Sequence, residues 1–186
     1  HDELADAGVR LSSANSINIG RLAPQITYYF DAYAQLLRAG AIELGDEVEF
    51  CVPTGNFGDV LAGWYARELG LPVARFIVAS NANDVLTDFF ATGAYDRNRP
   101  FFRTISPSMD ILISSNLERL IYYMGGRDAA YVNGLMEDLA RDGRYEVRPD
   151  IMDAIRTLFA AGSADDDATR AEIAACRDAH GYVLDP

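Results

Sequence analysis

The sequence predicts an α/β protein: a three-layer, Rossmann-like open sheet with helices on both faces and a helix-rich C-terminal part. Three observations carry this expectation. A short apolar run at 48–52 passes through the turn PTGNFGD into a helical pattern and then a second apolar run at 75–79. That succession has the length of one βαβ unit, about 30 residues. Ahead of it, Leu22, Ile26, Tyr29, Phe30, Tyr33, Leu36 and Leu37 recur at helical spacing. Beyond residue 115, four further stretches show the same helical period.

Residues 1–13 are mixed in character and read as a short amphipathic helix or a linker into the domain. In the first clear helix, Pro24 is tolerable only in the first turn, where no internal hydrogen bond is lost. The start therefore falls near Ile19 or Gly20, and Gly40 is the stop. Val48, Phe50, Cys51 and Val52 make a short, largely buried strand. The next helix places Val60, Leu61, Trp64, Tyr65 and Leu69 on one face and closes at Gly70. By the handedness of βαβ connections, the strand at 75–79 should lie parallel to the first and beside it or nearly so. Asn83 or Asp84 can cap a third helix that runs through Phe90 to Gly93. Residues 95–110 are turn-rich, and helices are expected at 116–124, 129–141, 150–161 and 166–180. Asp165, Asp166 and Asp167 form an acidic first turn that suits the helix dipole.

The chain has 186 residues, 49% of them apolar and 24% charged, within the globular range. Its formal net charge of −12 argues against nucleic acid or an anionic membrane as a partner. No apolar run approaches the ~18 residues of a membrane span. Two distant cysteines, Cys51 and Cys176, fit a reduced cytoplasmic setting, and Cys51 reads as a buried, inert thiol. His1 and His180 form no pair with metal spacing. All 16 basic residues are Arg. With no lysine, no side chain here can form a Schiff base with a carbonyl compound. The missing initiator Met and the abrupt end at Pro186 lead us to expect part of a longer protein.

Three segments could carry chemistry. In PTGNFGD, Gly55 and Gly58 permit close backbone approach and φ > 0, and the turn opens a helix whose free N–H groups suit a phosphate. Thr54 and Asn56 add side-chain donors, Phe57 packs beneath the turn, and Asp59 caps the helix. The alternative is a tight turn that needs glycine on steric grounds alone, and spacing does not separate the two. The segment is neither a Walker loop nor a GxGxxG turn. The second candidate holds Asn15, Ser16 and Arg21 at a helix start, with Arg21 offering a planar fork to phosphate or carboxylate. Its plain alternative is capping plus a surface Arg. The third, Ser106 to Ile111 followed by Ser114, Ser115 and Asn116, reads locally as a polar loop and cap. Tyr28, Tyr29, Phe30 and Tyr33 fall at core-helix spacing.

Taken together, SSANSINIGRLAPQITYYFDAY, VPTGNFGDVLAGWYARELGLP, FIVASNANDVLTDFFATGAY, SPSMDILISSNLERL and GYVLDP resemble threonine synthase, a pyridoxal phosphate enzyme family of the tryptophan-synthase-β-like fold. The resemblance implies that Gly55, Asn56, Phe57, Gly58 and Asp59 surround the cofactor phosphate. It implies that Asn15, Ser16 and Arg21 hold the phosphate of the substrate, O-phosphohomoserine, a phosphorylated amino acid. Residues 1–186 would be part of the large, C-terminal-side domain, with a helical insertion at 126–165. The rest of the parent polypeptide would supply the Schiff-base lysine and the pyridine-nitrogen partner, leaving this chain inactive alone. Two other readings compete: a different lyase of the same cofactor and fold, and a non-catalytic module that binds a phosphorylated ligand.

Overall fold

The computed structural model describes Gly8 and residues 15–186. The helix or linker expected over 1–13 therefore lies outside the described residues, Gly8 apart. The remaining chain forms seven α-helices, five strands and one 3-10 turn among the described residues. Helix α1 spans Ile19–Arg38, strand β1 Val48–Pro53, α2 Gly58–Glu68, β2 Val73–Ser80 and α3 Val85–Thr92. After them come β3 (Ala94–Asp96), the 3-10 turn Pro107–Met109, α4 (Leu117–Met124) and α5 (Ala129–Asp142). The chain ends with β4 (Arg144–Glu146), α6 (Pro149–Arg156), β5 (Phe159–Ser163) and α7 (Asp166–His180).

The α/β class is as expected: a parallel sheet in the order β1-β2-β5 with helices around it. β1 and β2 are parallel neighbours, as the βαβ argument requires. The register aligns Phe50, Phe76 and Phe159 in one row across the three strands. Their rings stack at centroid distances of 6.2 and 5.4 Å. Tyr29 of α1 meets Phe50 edge-on at 4.8 Å, and Phe90 of α3 stacks on Phe159 at 5.9 Å. Apolar burial on this row joins the helices to the sheet.

Several local expectations yield to tertiary context. β1 is not buried on both sides: Phe50 and Val52 turn inward, whereas Glu49, Cys51 and Pro53 are exposed. Cys51 is accordingly an exposed thiol, because strand side chains alternate and only one face of this edge strand is covered. In α1, Tyr29 and Tyr33 are core residues, but Tyr28 is 59% exposed and Phe30 39%. Pro24 lies one turn deeper in α1 than expected, and burial of Leu22, Tyr29 and Tyr33 offsets the missing hydrogen bond. The helix expected over 150–161 ends at Arg156, and residues from Phe159 onward become β5, the third strand. Alanine and glycine in β5 gave no β-pattern, and pairing with the apolar β2 overrides helix propensity there. β3 and β4 form a separate antiparallel ribbon in which Tyr95 and Tyr145 stack at 5.1 Å. None of the described helices is long and apolar enough to cross a membrane.

Candidate functional site

The three parallel strands end on one side of the sheet, at Pro53, Ser80 and Ser163, the side on which open α/β sheets bind ligands. A cavity of about 210 Å³ opens at the end of β1. Gly55, Asn56, Phe57, Gly58 and Asp59 line it together with Ser16, Arg21 and Gln25 from the start of α1, and Ser108 and Met109. The two candidate segments thus share one cavity. Asn15 is exposed and does not line it.

Helix α2 begins at Gly58, and its first internal bond runs from Leu61 N to Phe57 O at 3.2 Å. The N–H groups of Gly58, Asp59 and Val60 precede that ladder and stand at the positive end of the helix dipole. Asp59 does not cap the helix, contrary to expectation. Phe57 occupies the N-cap position, with no side-chain oxygen to give, and Asp59 sits in the first turn. The left-handed residue of the turn is likewise Phe57, at φ 61°, rather than Gly55 or Gly58. The need for glycine at Gly55 is spatial: a Cβ there would come within 3.3 Å of Ser108 O. Thr54 also lines the cavity, but its hydroxyl proton is engaged, donating to Val52 O at 2.6 Å.

The loop carbonyls are tied to one side. Gly55 O accepts from Ser114 Oγ at 2.8 Å. Asn56 O accepts from Asn116 N at 3.1 Å and Asn116 Nδ2 at 2.9 Å. Because C=O and the following N–H of a trans peptide oppose each other, the amides of Asn56 and Phe57 point away from residues 114–116. Neither Ser114 nor Asn116 lines the cavity.

A half-buried polar cluster fixes the wall formed by Ser108 and Met109. Asp110 Oδ1 accepts from Asn81 Nδ2 at 2.8 Å, Asn83 Nδ2 at 3.1 Å and Thr104 Oγ1 at 2.8 Å. Its Oδ2 accepts from Thr104 N at 3.1 Å. Desolvation acts upward on this carboxyl, but the bonds from Thr104, Asn81 and Asn83 outweigh it and hold its pKa below 3.8. The Ser106–Asp110 stretch is therefore braced by residues at the end of β2. Asn83 is engaged in this cluster; Asp84 occupies the N-cap position of α3 as one of the two expected residues, but its carboxylate pairs with Arg99 at 3.0 Å and makes no cap bond.

Asp59 shows the opposite electrostatics. Desolvation raises its pKa above 3.8, opposed only by hydrogen bonding with Tyr29. Its Oδ1 is buried and meets no donor among the described residues. The Tyr29 hydroxyl donates instead to Asp59 O at 2.9 Å.

No family model matches the chain. Threonine synthase-like 1 of Homo sapiens is 43% identical over 180 residues, which is 96% of this chain and 24% of that protein. Threonine synthase of Pseudomonas aeruginosa is 42% identical over 179 residues, 96% of this chain and 37% of that one. The crystal structure of PLP-bound threonine synthase from Brucella melitensis matches with a TM-score of 0.89 at 44% identity, covering 98% of this chain and 38% of that chain. The chain is homologous to part of the threonine synthases. It spans between about a quarter and two fifths of the length of these relatives.

To the residues assigned to phosphate the structure adds Gln25, and it supplies contacts for Ser114, Asn116 and Asp110, which the sequence offered only as part of a polar loop and cap. Gln25 could have been read from the sequence, because it follows Arg21 by one helical turn on the same face. Ser114, Asn116, Asn81 and Asp110 act through contacts that join distant parts of the chain, for which no local pattern exists. Among the described residues no group of three His, Cys, Asp or Glu could hold a metal ion.

Proposed function

We propose that this chain is the phosphate-anchoring part of a threonine synthase, a PLP-dependent lyase that converts O-phosphohomoserine and water to threonine and phosphate. The observation that carries the reading is the single cavity in which the start of α2 and Arg21 face the same space. The residues suit phosphate in kind: unladdered amides at a helix N-terminus, loop carbonyls tied away, and a guanidinium on the opposing helix. Gly55, Asn56, Phe57, Gly58 and Asp59 would hold the cofactor phosphate, and Ser16 and Arg21 the substrate phosphate. Asn15 would act by shaping the start of α1, through its carbonyl bond to Asn18 N at 3.1 Å.

When bound, pyridoxal phosphate supplies the electron sink for carbanion chemistry on an amino acid. The chain's own contribution is to anchor and orient. Amides around Gly58 neutralise one phosphate without a mobile side chain. Arg21 selects a substrate that carries a second phosphate and stabilises it as negative charge builds on departure. With no lysine in residues 1–186, the Schiff-base lysine would come from the rest of the parent polypeptide. The segment at 126–165, proposed as an insertion in the large domain, contributes α5, α6 and the sheet strand β5.

The test is to incubate the complete polypeptide, reconstituted with PLP, with O-phosphohomoserine and follow phosphate and threonine together. Equimolar release of both is the expected result. Cofactor binding with turnover of an unphosphorylated amino acid instead would replace this reading with that of a sister lyase.

A further inference from the structure

Asn116 is a fully buried polar side chain at the start of α4, and neither of the residue patterns tied to phosphate includes it. Its Nδ2 donates to two carbonyls at once, Asn56 O at 2.9 Å and Ser16 O at 3.0 Å. The first belongs to the loop proposed to hold the cofactor phosphate, the second to the segment proposed to hold the substrate phosphate. These acceptors lie 60 and 100 residues away in sequence. The amide cannot rotate to serve one at the expense of the other without losing its remaining bond, because Oδ1 accepts from Arg119 Nη1 at 2.9 Å. Arg119 in turn donates through Nη2 to Ile17 O at 2.6 Å, gripping the same segment one residue further on. Gly58, the first residue of α2, packs into this junction: a Cβ there would lie 3.5 Å from Asn116 Nδ2 and 3.7 Å from Ser16 O.

We propose that Asn116, oriented by Arg119, is the positioning residue that sets the spacing between the two phosphate-binding segments and so couples cofactor anchoring to recognition of a phosphorylated substrate. The inference rests on the function proposed above and adds how the two subsites communicate. Asn116 touches neither phosphate. It acts by holding carbonyls, and thereby fixes where the amides of the cofactor loop and the guanidinium of Arg21 stand relative to each other. Arg119 reaches only Asn116 Oδ1 and the Ile17 carbonyl in this junction, so its loss should slacken the substrate side more than the cofactor side.

The experiment compares wild type, Asn116→Leu and Arg119→Met in the complete polypeptide. PLP dissociation is measured by the cofactor's absorbance, the KM for O-phosphohomoserine by phosphate release, and hydrogen exchange on the cofactor-free protein over residues 15–22 and 53–60. Losing the two bridging bonds should raise both the PLP Kd and the KM about tenfold in Asn116→Leu. Both segments should also exchange faster. Arg119→Met should raise the KM by several-fold and leave the PLP Kd near wild type. A merely structural residue would instead lower the amount of folded, active protein, with KM and Kd unchanged in what remains. That outcome overturns the proposal, as does a change confined to the PLP Kd in Asn116→Leu. If Asn116→Leu does not fold, Arg119→Met decides: an unchanged KM refutes the coupling. A wild type that binds PLP and releases phosphate while both variants match it refutes this inference alone. A wild type that does neither refutes the underlying function as well.

Discussion

Phe57 holds φ 61° and ψ 9°, a left-handed conformation that costs a bulky residue about 1–3 kcal/mol. Its ring offsets the strain by near-complete burial against Phe90 and Phe159, at centroid distances of 6.2 and 6.0 Å. A Ser or Asp at this N-cap would occupy an amide with its own side chain, which a phosphate site cannot spare. Asp59 follows two residues later, and its raised pKa gives a signed prediction. A carboxyl whose pKa is higher folded than unfolded adds stability that is complete below the unfolded value and is lost as pH rises through the folded one. Asp59→Asn should therefore be more stable than wild type at pH 7, with the difference closing toward pH 3 in urea titrations. It should also bind inorganic phosphate more tightly at pH 7, since a negative charge beside the cavity proposed to hold phosphate is removed. A variant less stable than wild type at neutral pH would contradict the burial argument.

Helix α2 is placed by contact, not by propensity. At Gly63 a Cβ would stand 2.6 Å from the Tyr29 ring and 2.7 Å from that of Phe76. Replacing glycine by alanine inside a helix ordinarily gains about 1 kcal/mol. Here the clash should reverse the sign, and Gly63→Ala should destabilise by about 1–3 kcal/mol in chemical denaturation. It should also weaken phosphate binding, because α2 carries the amides proposed to hold phosphate. The loop element beside it depends on Asp110. Its lowered pKa means a stabilisation present above the ordinary carboxylate pKa and lost as pH falls through the folded value. Asp110→Ala leaves four donor contacts without their acceptor and should cost on the order of 3 kcal/mol at pH 7. Wild type and variant should begin to converge only as pH falls below the ordinary carboxylate pKa of about 4, and go on converging through the lower folded value. A constant gap across that range would show that the cluster does not depend on the charge.

Across the whole molecule, the sheet is covered unevenly. β1 has β2 on one side only, so its other edge is unpaired within the three-stranded sheet. Glu49, Cys51 and Pro53 on its outer face are exposed, as are Tyr28, Phe30 and Leu36 on α1 nearby in the chain. Unpaired edges and apolar patches recruit partners. Expressed alone, residues 1–186 should self-associate, with mass by light scattering rising with concentration. Phe30→Lys should shift the distribution toward monomer. A monodisperse monomer throughout would mean that these surfaces need no cover. The isolated chain should release no phosphate from O-phosphohomoserine at any cofactor concentration.

Helix α1, the β1-α2-β2 unit and α7 could be read directly from the chain, because 3.6-residue periodicity, Gly40, Gly70 and a glycine-containing turn are local properties. The loop at 54–59 and Arg21 were legible as candidates for the same reason: their pattern lies in consecutive residues or one helical turn. Strand β5 was not, since Ala160, Ala161 and Gly162 become a strand only by pairing with β2. The exposure of Cys51 depended on which face of β1 the helices cover. The role of Asn116 depended on carbonyls 60 and 100 residues away. Local stereochemistry and periodic burial are written residue by residue. Buried hydrogen bonds between distant backbone groups exist only once the sheet and helices have brought those groups together.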